Sequence, residues 1–447
     1  MSKDDRRERA VPSSRLSRLS GFGRLAGGVA GGMLAEGARR ISQGERPSVD
    51  QLLLTPGNMT RLADRLSHMR GAAMKLGQMI SMDAGDVLPA ELSGILATLR
   101  ENANFMPTRQ LDQVLIEQWG KDWRRQFRRF DPRPIAAASI GQVHKALSKD
   151  GEELAIKVQY PGVAESIDAD IDNVAGLLKL SRLVPEELDL SPILAAAKEQ
   201  LHEEADYVRE GRQMQFYADL LKGDERFIVP ALRADLSTER ILVMTFEKGR
   251  PIEELASELL ELRSNVFAHL IELVGRELFE FGVMQTDPNF ANYRYRTETG
   301  QIVLLDFGAT RAVSPDVRLS YRKLLEAGLA RNHEAVRAEA VAAGFIGPAV
   351  VDRHPETLDR MIGIIVDEMA RDAPFDFGDR SFIPVLRDEG MAIARDKASW
   401  HVPPAETLFV QRKISGTALL GARLGAVVNV RQIVERLLRE NAPVSGS

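Results

Sequence analysis

The chain has 447 residues, room for about two or three domains of ordinary size, which excludes a peptide, a toxin-like scaffold or a bare linker. Hydrophobic residues make up 44% and charged residues 28%, so neither a wholly disordered nor a membrane-embedded chain fits. The net charge of −5 argues against a nucleic-acid partner, and zero cysteines remove disulfides, thiol catalysis, iron–sulfur clusters and cysteine-ligated zinc together.

Residues 1–20 are polar and read as disordered. Residues 25–35 form a Gly/Ala-rich apolar run flanked by Arg24 and Arg39-Arg40. Gly23, Gly27 and Gly31, with Gly28 and Gly32, lie four apart, which describes either a smooth helical strip for a second copy or a lipid surface, or a flexible linker. No signal-peptide pattern opens the chain, and no window reaches the ~18 apolar residues of a spanning helix. From 48 to about 118 the spacing of Leu52, Leu62, Leu66 and Met69 predicts helix, broken by Pro89 and Pro107, with Met74, Met79 and Met82 read as core. Arg124, Arg125, Arg128 and Arg129, set among Trp123, Phe127 and Phe130, read as an amphipathic surface helix or a contact for anionic lipid.

After Asp131-Pro132 the pattern turns to strands, 140–144 and 153–159, joined through Lys149-Asp150-Gly151 as a hairpin. Ser191-Pro192 opens a long helix to about 221. Strands follow at 227–230 and 241–246, helix over 252–281, an apolar strand at 302–305, and helices to the end, broken at 344–348, 374–379 and 402–404. Trp400-His401 reads as a packed turn. The predicted division is a flexible segment 1–47, a helical extension 48–130, a small α/β lobe 131–248 and a helical lobe 249–447.

Four short pieces carry chemistry. Asp306-Phe307-Gly308 directly follows the apolar strand. Asp287 and Asn292 precede it at the spacing of a phosphoryl-transfer loop: Asp287 would orient or deprotonate the attacking oxygen, while Asn292 and Asp306 would hold Mg²⁺ on the phosphates. Lys157 sits inside an apolar strand, where an ammonium needs an anionic partner. Glu203, Asp206 and Glu210 fall on one stripe of the long helix, and Glu210 is the expected partner. The order of these pieces is that of a protein kinase. A G-x-G-x-x-G loop is missing before Lys157; Ala136, Ala137, Ala138 and Ser139 stand in its place, so the phosphates must be held without left-handed glycines. The histidines are scattered. His202-Glu203 would begin an H-E-x-x-H, but position 206 is Asp, so no zinc is expected.

The alanine-rich loop, Lys75-Leu-Gly-Gln78, Glu204-Ala-Asp206, the Asp287/Asn292 loop and Asp306-Phe-Gly together resemble the UbiB or aarF-domain atypical kinase-like family over about residues 50–435. The stretch Phe409-Val-Gln-Arg-Lys413 looks like the mitochondrial coenzyme Q branch. The resemblance implies an α+β, bilobal protein-kinase-like fold with an N-terminal helical extension packed over the active site and a mostly helical large lobe. It implies ATP and Mg²⁺ binding in support of ubiquinone (coenzyme Q) synthesis, with ATPase activity better attested than protein phosphorylation. By position, Lys157 pairs with Glu210 and the phosphates, and Thr245, Phe246, Glu247 and Lys248 take the adenine. Lys75 and Gln78 sit over the site as regulatory residues, with Lys75 paired to Glu204 and Asp206; the stripe favours Asp206.

Two departures stand out. Family members usually read His-x-Asp-Pro-His-Pro-Gly-Asn at the catalytic loop, where this chain has Gln285-Thr-Asp287-Pro-Asn-Phe-Ala-Asn292. The separation of Lys157 from Glu210 also implies an inserted helix near 164–183, unlike ordinary kinases. The function expected is an atypical kinase-like ATPase that hydrolyses Mg–ATP or phosphorylates a small lipid-related acceptor, cytoplasmic and peripheral to the inner membrane of a bacterium. Expected partners are quinone-precursor lipids, an anionic membrane surface, other ubiquinone-biosynthesis proteins and a second copy of the chain. A catalytically weak pseudokinase-like scaffold is the alternative; an antibiotic-phosphotransferase type would not carry Lys75-x-Gly-Gln.

Overall fold

The computed structural model describes residues 105–180 and 191–442, except positions 380, 382, 400 and 402. The readings made for 1–104, among them the glycine strip, Lys75, Gln78, Met74, Met79 and Met82, lie outside the described residues, as does that for Trp400. The chain divides into two compact units. One runs up to Gln215 and takes in Ala231–Glu247; the other comprises Phe216–Pro230 and Lys248–Ser447.

In the first unit, helix α1 (Thr108–Trp119) starts behind Pro107 and stops at Gly120, whose φ of +83° favours glycine. Its apolar face of Leu111, Val114 and Leu115 is buried. A single turn at Trp123–Gln126 leads into strand β1 (Phe127–Ala137), then β2 (Gly141–Ser148) and β3 (Glu153–Gln159). The amphipathic helix expected around 124–130 is therefore corrected. Phe127 pairs with Ser148 and Phe130 with Ala146, while Pro132 and Pro134 lie in a strand interrupted by register shifts. Prolines deny a helix its amide donors but are tolerated on the edge of a sheet, where β1 lies.

Helix α2 (Ile167–Leu180) follows, within the predicted insertion. The long helix expected from 191 to 221 is instead two, α3 (Ser191–Ala205) and α4 (Tyr207–Leu220). Asp206 breaks it because its carboxylate accepts the Arg209 N–H at 2.8 Å, capping α4 rather than continuing α3. The short strand β4 (Phe227–Ile228) belongs to the second unit, and β5 (Ile241–Thr245) completes the first unit's antiparallel sheet in the order β1-β2-β3-β5. Leu115, Trp123, Phe127, Leu154, Ile156 and Val243 share one core, so α1 and the aromatic turn pack on this sheet.

The second unit contains β6 (Arg250–Pro251), α5 (Leu260–Arg276), a π-turn at Glu277–Phe281, β7 (Val283–Gln285), β8 (Tyr293–Arg296), β9 (Gln301–Leu304) and β10 (Thr310–Ala312). Its sheets run β4-β9-β8-β6 and β7-β10. Helices α6 (Pro315–Leu329), α7 (His333–Ala342), α8 (Pro348–Arg353) and α9 (Pro355–Met369) follow. Then come β11 (Phe375–Asp376), α10 (Ile383–Arg395), α11 (Ala405–Leu424), β12 (Val427–Val428) and α12 (Val430–Glu440). The expectation of unbroken helix after 404 is corrected: Gly425, at φ +56°, ends α11 and turns the chain into β12, which pairs with β11.

Candidate active site

In the first unit, Lys157 projects from β3 and Glu210 from the first turn of α4. Lys157 Nζ donates to both carboxylate oxygens of Glu210, at 2.8 and 2.9 Å, and both side chains are buried. The Tyr207 ring lies 5.1 Å from the same ammonium. Two equal bonds to one buried carboxylate fix the ammonium in place.

The alanine-rich loop is the β1–β2 turn, closed by the Ala138 N–H donating to the Gly141 carbonyl at 2.8 Å. Ala136 and Ala137 end β1 in register with Val143 and Gln142. Among the described residues only Arg331 is a non-glycine with positive φ, so this loop turns without left-handed residues. Gly141 is needed for another reason: a Cβ there would lie 2.4 Å from the Val158 carbonyl oxygen. Ser139 Oγ donates to Glu204 Oε2 at 2.5 Å, and Glu204 is buried while Asp206 is exposed. The single continuous helix behind the stripe of Glu203, Asp206 and Glu210 is thus broken at Asp206, while the pairing with Lys75 lies outside the described residues.

At the end of β5, Thr245 Oγ1 donates to Glu247 at 2.8 Å and accepts from the Ala231 N–H at 2.9 Å. The Phe246 N–H donates to the Glu153 carbonyl, and the Lys145 ammonium lies 4.2 Å from the Phe246 ring. Lys248 is exposed and begins the second unit's main segment.

In the second unit, β7 delivers Asp287 and β9 delivers Asp306. Two ties hold these loops together: Thr286 binds the Ala309 carbonyl through both N–H and Oγ1, and the Leu305 N–H donates to the Asn292 carbonyl at 3.0 Å. Asn292 Nδ2 donates to Asp287 Oδ2 at 3.3 Å. Asp306 Oδ1 accepts the Gly308 N–H at 2.9 Å, which sets the turn, and Phe307 packs on the Tyr217 ring at 5.1 Å. Asp287 and Asn292 thus share a side-chain bond, and the Leu305 backbone ties the start of the Asp306 turn to Asn292 within this unit. An Asn whose amide N–H₂ faces a carboxylate presents its oxygen elsewhere, as a hard cation requires. Among the described residues no three His, Cys, Asp or Glu side chains converge on a metal site. That donor set fits Mg²⁺, which takes one or two protein oxygens and completes its shell with phosphates and water.

Sequence reasoning missed a buried group beneath this loop. Lys413 of α11 donates to Gln285 Oε1 at 3.1 Å and to the Tyr293 hydroxyl at 2.9 Å, with Glu277 Oε2 at 3.5 Å. Glu277 in turn accepts from the Tyr217 hydroxyl at 2.9 Å and the Gln285 N–H at 3.3 Å. Burial pulls the Lys413 ammonium down, but the Glu277 and Tyr293 oxygens outweigh it and hold it above the usual lysine value. Burial pushes Glu277 up against the pull of Lys413. Lys413 therefore stays protonated. The signal was available, since Lys413 lies in an apolar helix much as Lys157 lies in an apolar strand.

A family model described as the ABC1 atypical kinase-like domain matches residues 98–340. The chain is 37% identical over 442 residues to atypical kinase COQ8, mitochondrial, of Saccharomyces cerevisiae, covering 97% of this chain and 87% of that one. It is 36% identical over 438 residues to atypical kinase COQ8B, mitochondrial, of Rattus norvegicus, covering 97% and 82%. The solved structure of Rv3197 in complex with erythromycin from Mycobacterium tuberculosis matches with a TM-score of 0.59 and 25% identity, over 86% of this chain and 95% of that one. With its α+β kinase-like fold, the chain belongs to the ABC1 atypical kinase-like family, the UbiB/aarF group, on the branch of the COQ8 kinases.

Proposed function

We propose that this protein is an atypical kinase-like ATPase that supports ubiquinone biosynthesis, binding Mg–ATP and transferring its γ-phosphoryl to water or a small lipid-related acceptor at a membrane surface. The observation that carries the reading is the Asn292 bond to Asp287, with the Asp306 turn tied to that loop through the Leu305 N–H and the Asn292 carbonyl. The COQ8 relatives support the biosynthetic role. Among the described residues no helix is long and apolar enough to span a membrane.

Under this proposal each unit would contribute residues to the chemistry. From the first, Lys157, fixed by Glu210, would place positive charge on the phosphates, while the Ala136–Ser139 turn would lie along them and residues 245–248 would take the adenine. From the second, Asn292 and Asp306 would hold Mg²⁺, which when bound neutralises charge on the phosphate oxygens. Asp287 would orient the acceptor hydroxyl or water and take its proton as the new P–O bond forms; the bond to the leaving oxygen breaks, and ADP keeps that electron pair. Lys75 and Gln78 would regulate the site, with Lys75 paired to Glu204 and Asp206.

The test is phosphate release from Mg–ATP, with and without anionic liposomes and a phenolic quinone-precursor mimic, comparing wild type with Asp306→Asn. Stimulated release that the variant loses supports the proposal. No release under any condition, with nucleotide still bound and the variant still complementing a ubiquinone-deficient strain, supports a scaffold that uses nucleotide as a conformational ligand.

A further inference from the structure

We infer that Lys413 is a positioning residue for the catalytic loop, pinning both its ends to the buried Glu277. The inference rests on the reading of Asp287 as the group that orients the attacking oxygen. Gln285 lies two residues before Asp287 and Tyr293 directly follows Asn292, so the two acceptors of the Lys413 ammonium bracket the loop. The third contact, Glu277, comes from the π-turn that ends α5, a helix irregularity frequent at functional sites. The same carboxylate also receives the Gln285 N–H and the Tyr217 hydroxyl.

The arrangement is directional. Gln285 Nε2 is buried and has no hydrogen-bond partner among the described residues, a cost that turning the amide over would change. Turning it would point N–H₂ at an ammonium, so Lys413 dictates which way Gln285 faces. One turn further along α11, a Cβ on Gly416 would sit 2.0 Å from Pro288 Cβ, so the helix that carries Lys413 also presses on the residue next to Asp287. Fully buried charges of opposite sign are seldom the cheapest way to fill a core, and a loop whose geometry matters for chemistry gives this one a use.

Lys413→Met alone would strand Glu277 in the core and fail to fold for that reason, so the informative protein is the double variant Lys413→Met with Glu277→Gln. It removes the charge pair but keeps an acceptor for Tyr217 and for the Gln285 N–H. Tyr293→Phe, which removes one anchor only, is its milder companion. The readouts are thermal unfolding, kcat and KM for Mg–ATP, and amide hydrogen exchange over residues 283–296. The inference predicts faster exchange confined to this segment, with α5 and α11 unchanged, and kcat lower by about 10- to 100-fold at unaltered KM. Unchanged exchange in the segment, or a uniform rise across the second unit, overturns it. A wild type that binds Mg–ATP but releases no phosphate fails the reading beneath it, and the exchange result then decides loop positioning on its own.

Discussion

Lys157 Nζ lies 2.8 Å from one carboxylate oxygen of Glu210 and 2.9 Å from the other, and both residues are buried. A buried pair of this kind has an asymmetric energetic signature. Glu210→Ala leaves an ammonium without its carboxylate and should destabilise the fold by about 3–5 kcal/mol, whereas Lys157→Met with Glu210→Leu should recover most of that. Urea unfolding of the three proteins checks the order. The double variant should nonetheless release no phosphate from Mg–ATP, which separates the pair's chemical role from its structural one.

The loop carrying Asp287 rests on α11 at Gly416. A methyl group there would lie 2.0 Å from Pro288 Cβ and 3.3 Å from its Cα, so backbone must move. Gly416→Ala should cost about 1–3 kcal/mol by overpacking and reduce phosphate release. Gly363, inside α9 with open space around its Cβ direction, is the control: Gly363→Ala should stabilise by up to about 1 kcal/mol with turnover unchanged. Thermal unfolding and turnover of both variants test the contrast.

Much of the site was legible because its residues violate ordinary patterning. Lys157 in an apolar strand demanded a partner, and Glu210 was the acid in reach. Asp287, Asn292 and Asp306 were found by spacing around a strand that exists, β9. What failed was helical continuity: Asp206 reads as one more acid in a helix, yet Asp caps helices better than it extends them, and the break reverses which acid faces inward. Residues 124–130 misled because arginines among aromatics fit an amphipathic helix and a sheet edge equally, and the deciding residues, Pro132 and Pro134, come later in the strand. The two-stranded pairs β7-β10 and β11-β12 are too short to leave a period in the sequence. Lys413 and Glu277 escaped because they lie far apart in the chain, although Lys413 stands in an apolar helix as Lys157 stands in an apolar strand.

A buried histidine supplies a pH signature. The Met106 N–H donates to Gln142 Oε1 at 2.8 Å, so the Gln142 amide N–H₂ faces His144 Nε2 at 2.9 Å. His144 Nε2 must therefore accept, and its Nδ1–H donates to the Asp131 carbonyl at 3.0 Å. Burial lowers His144 from 6.5 to about 4. Between those values the unfolded chain takes up the proton and the folded chain does not, so this stability is present above pH 6.5 and is lost as pH falls towards 4. The full contribution is about 3 kcal/mol. Denaturant titrations from pH 7 to pH 4 should show a shallower loss for His144→Gln than for wild type; equal slopes would assign the loss to other groups.

The most direct test of the account is Asp287→Asn, a change that keeps the shape of the side chain and its contact with Asn292 while removing the base. Phosphate release from Mg–ATP and nucleotide affinity are measured side by side on wild type and variant. The account predicts that release is abolished while Mg–ATP binds as before. Release at the wild-type rate would contradict it, because the chemistry would then run without the carboxylate that the loop, its Asn292 bond and its buried supports hold in place.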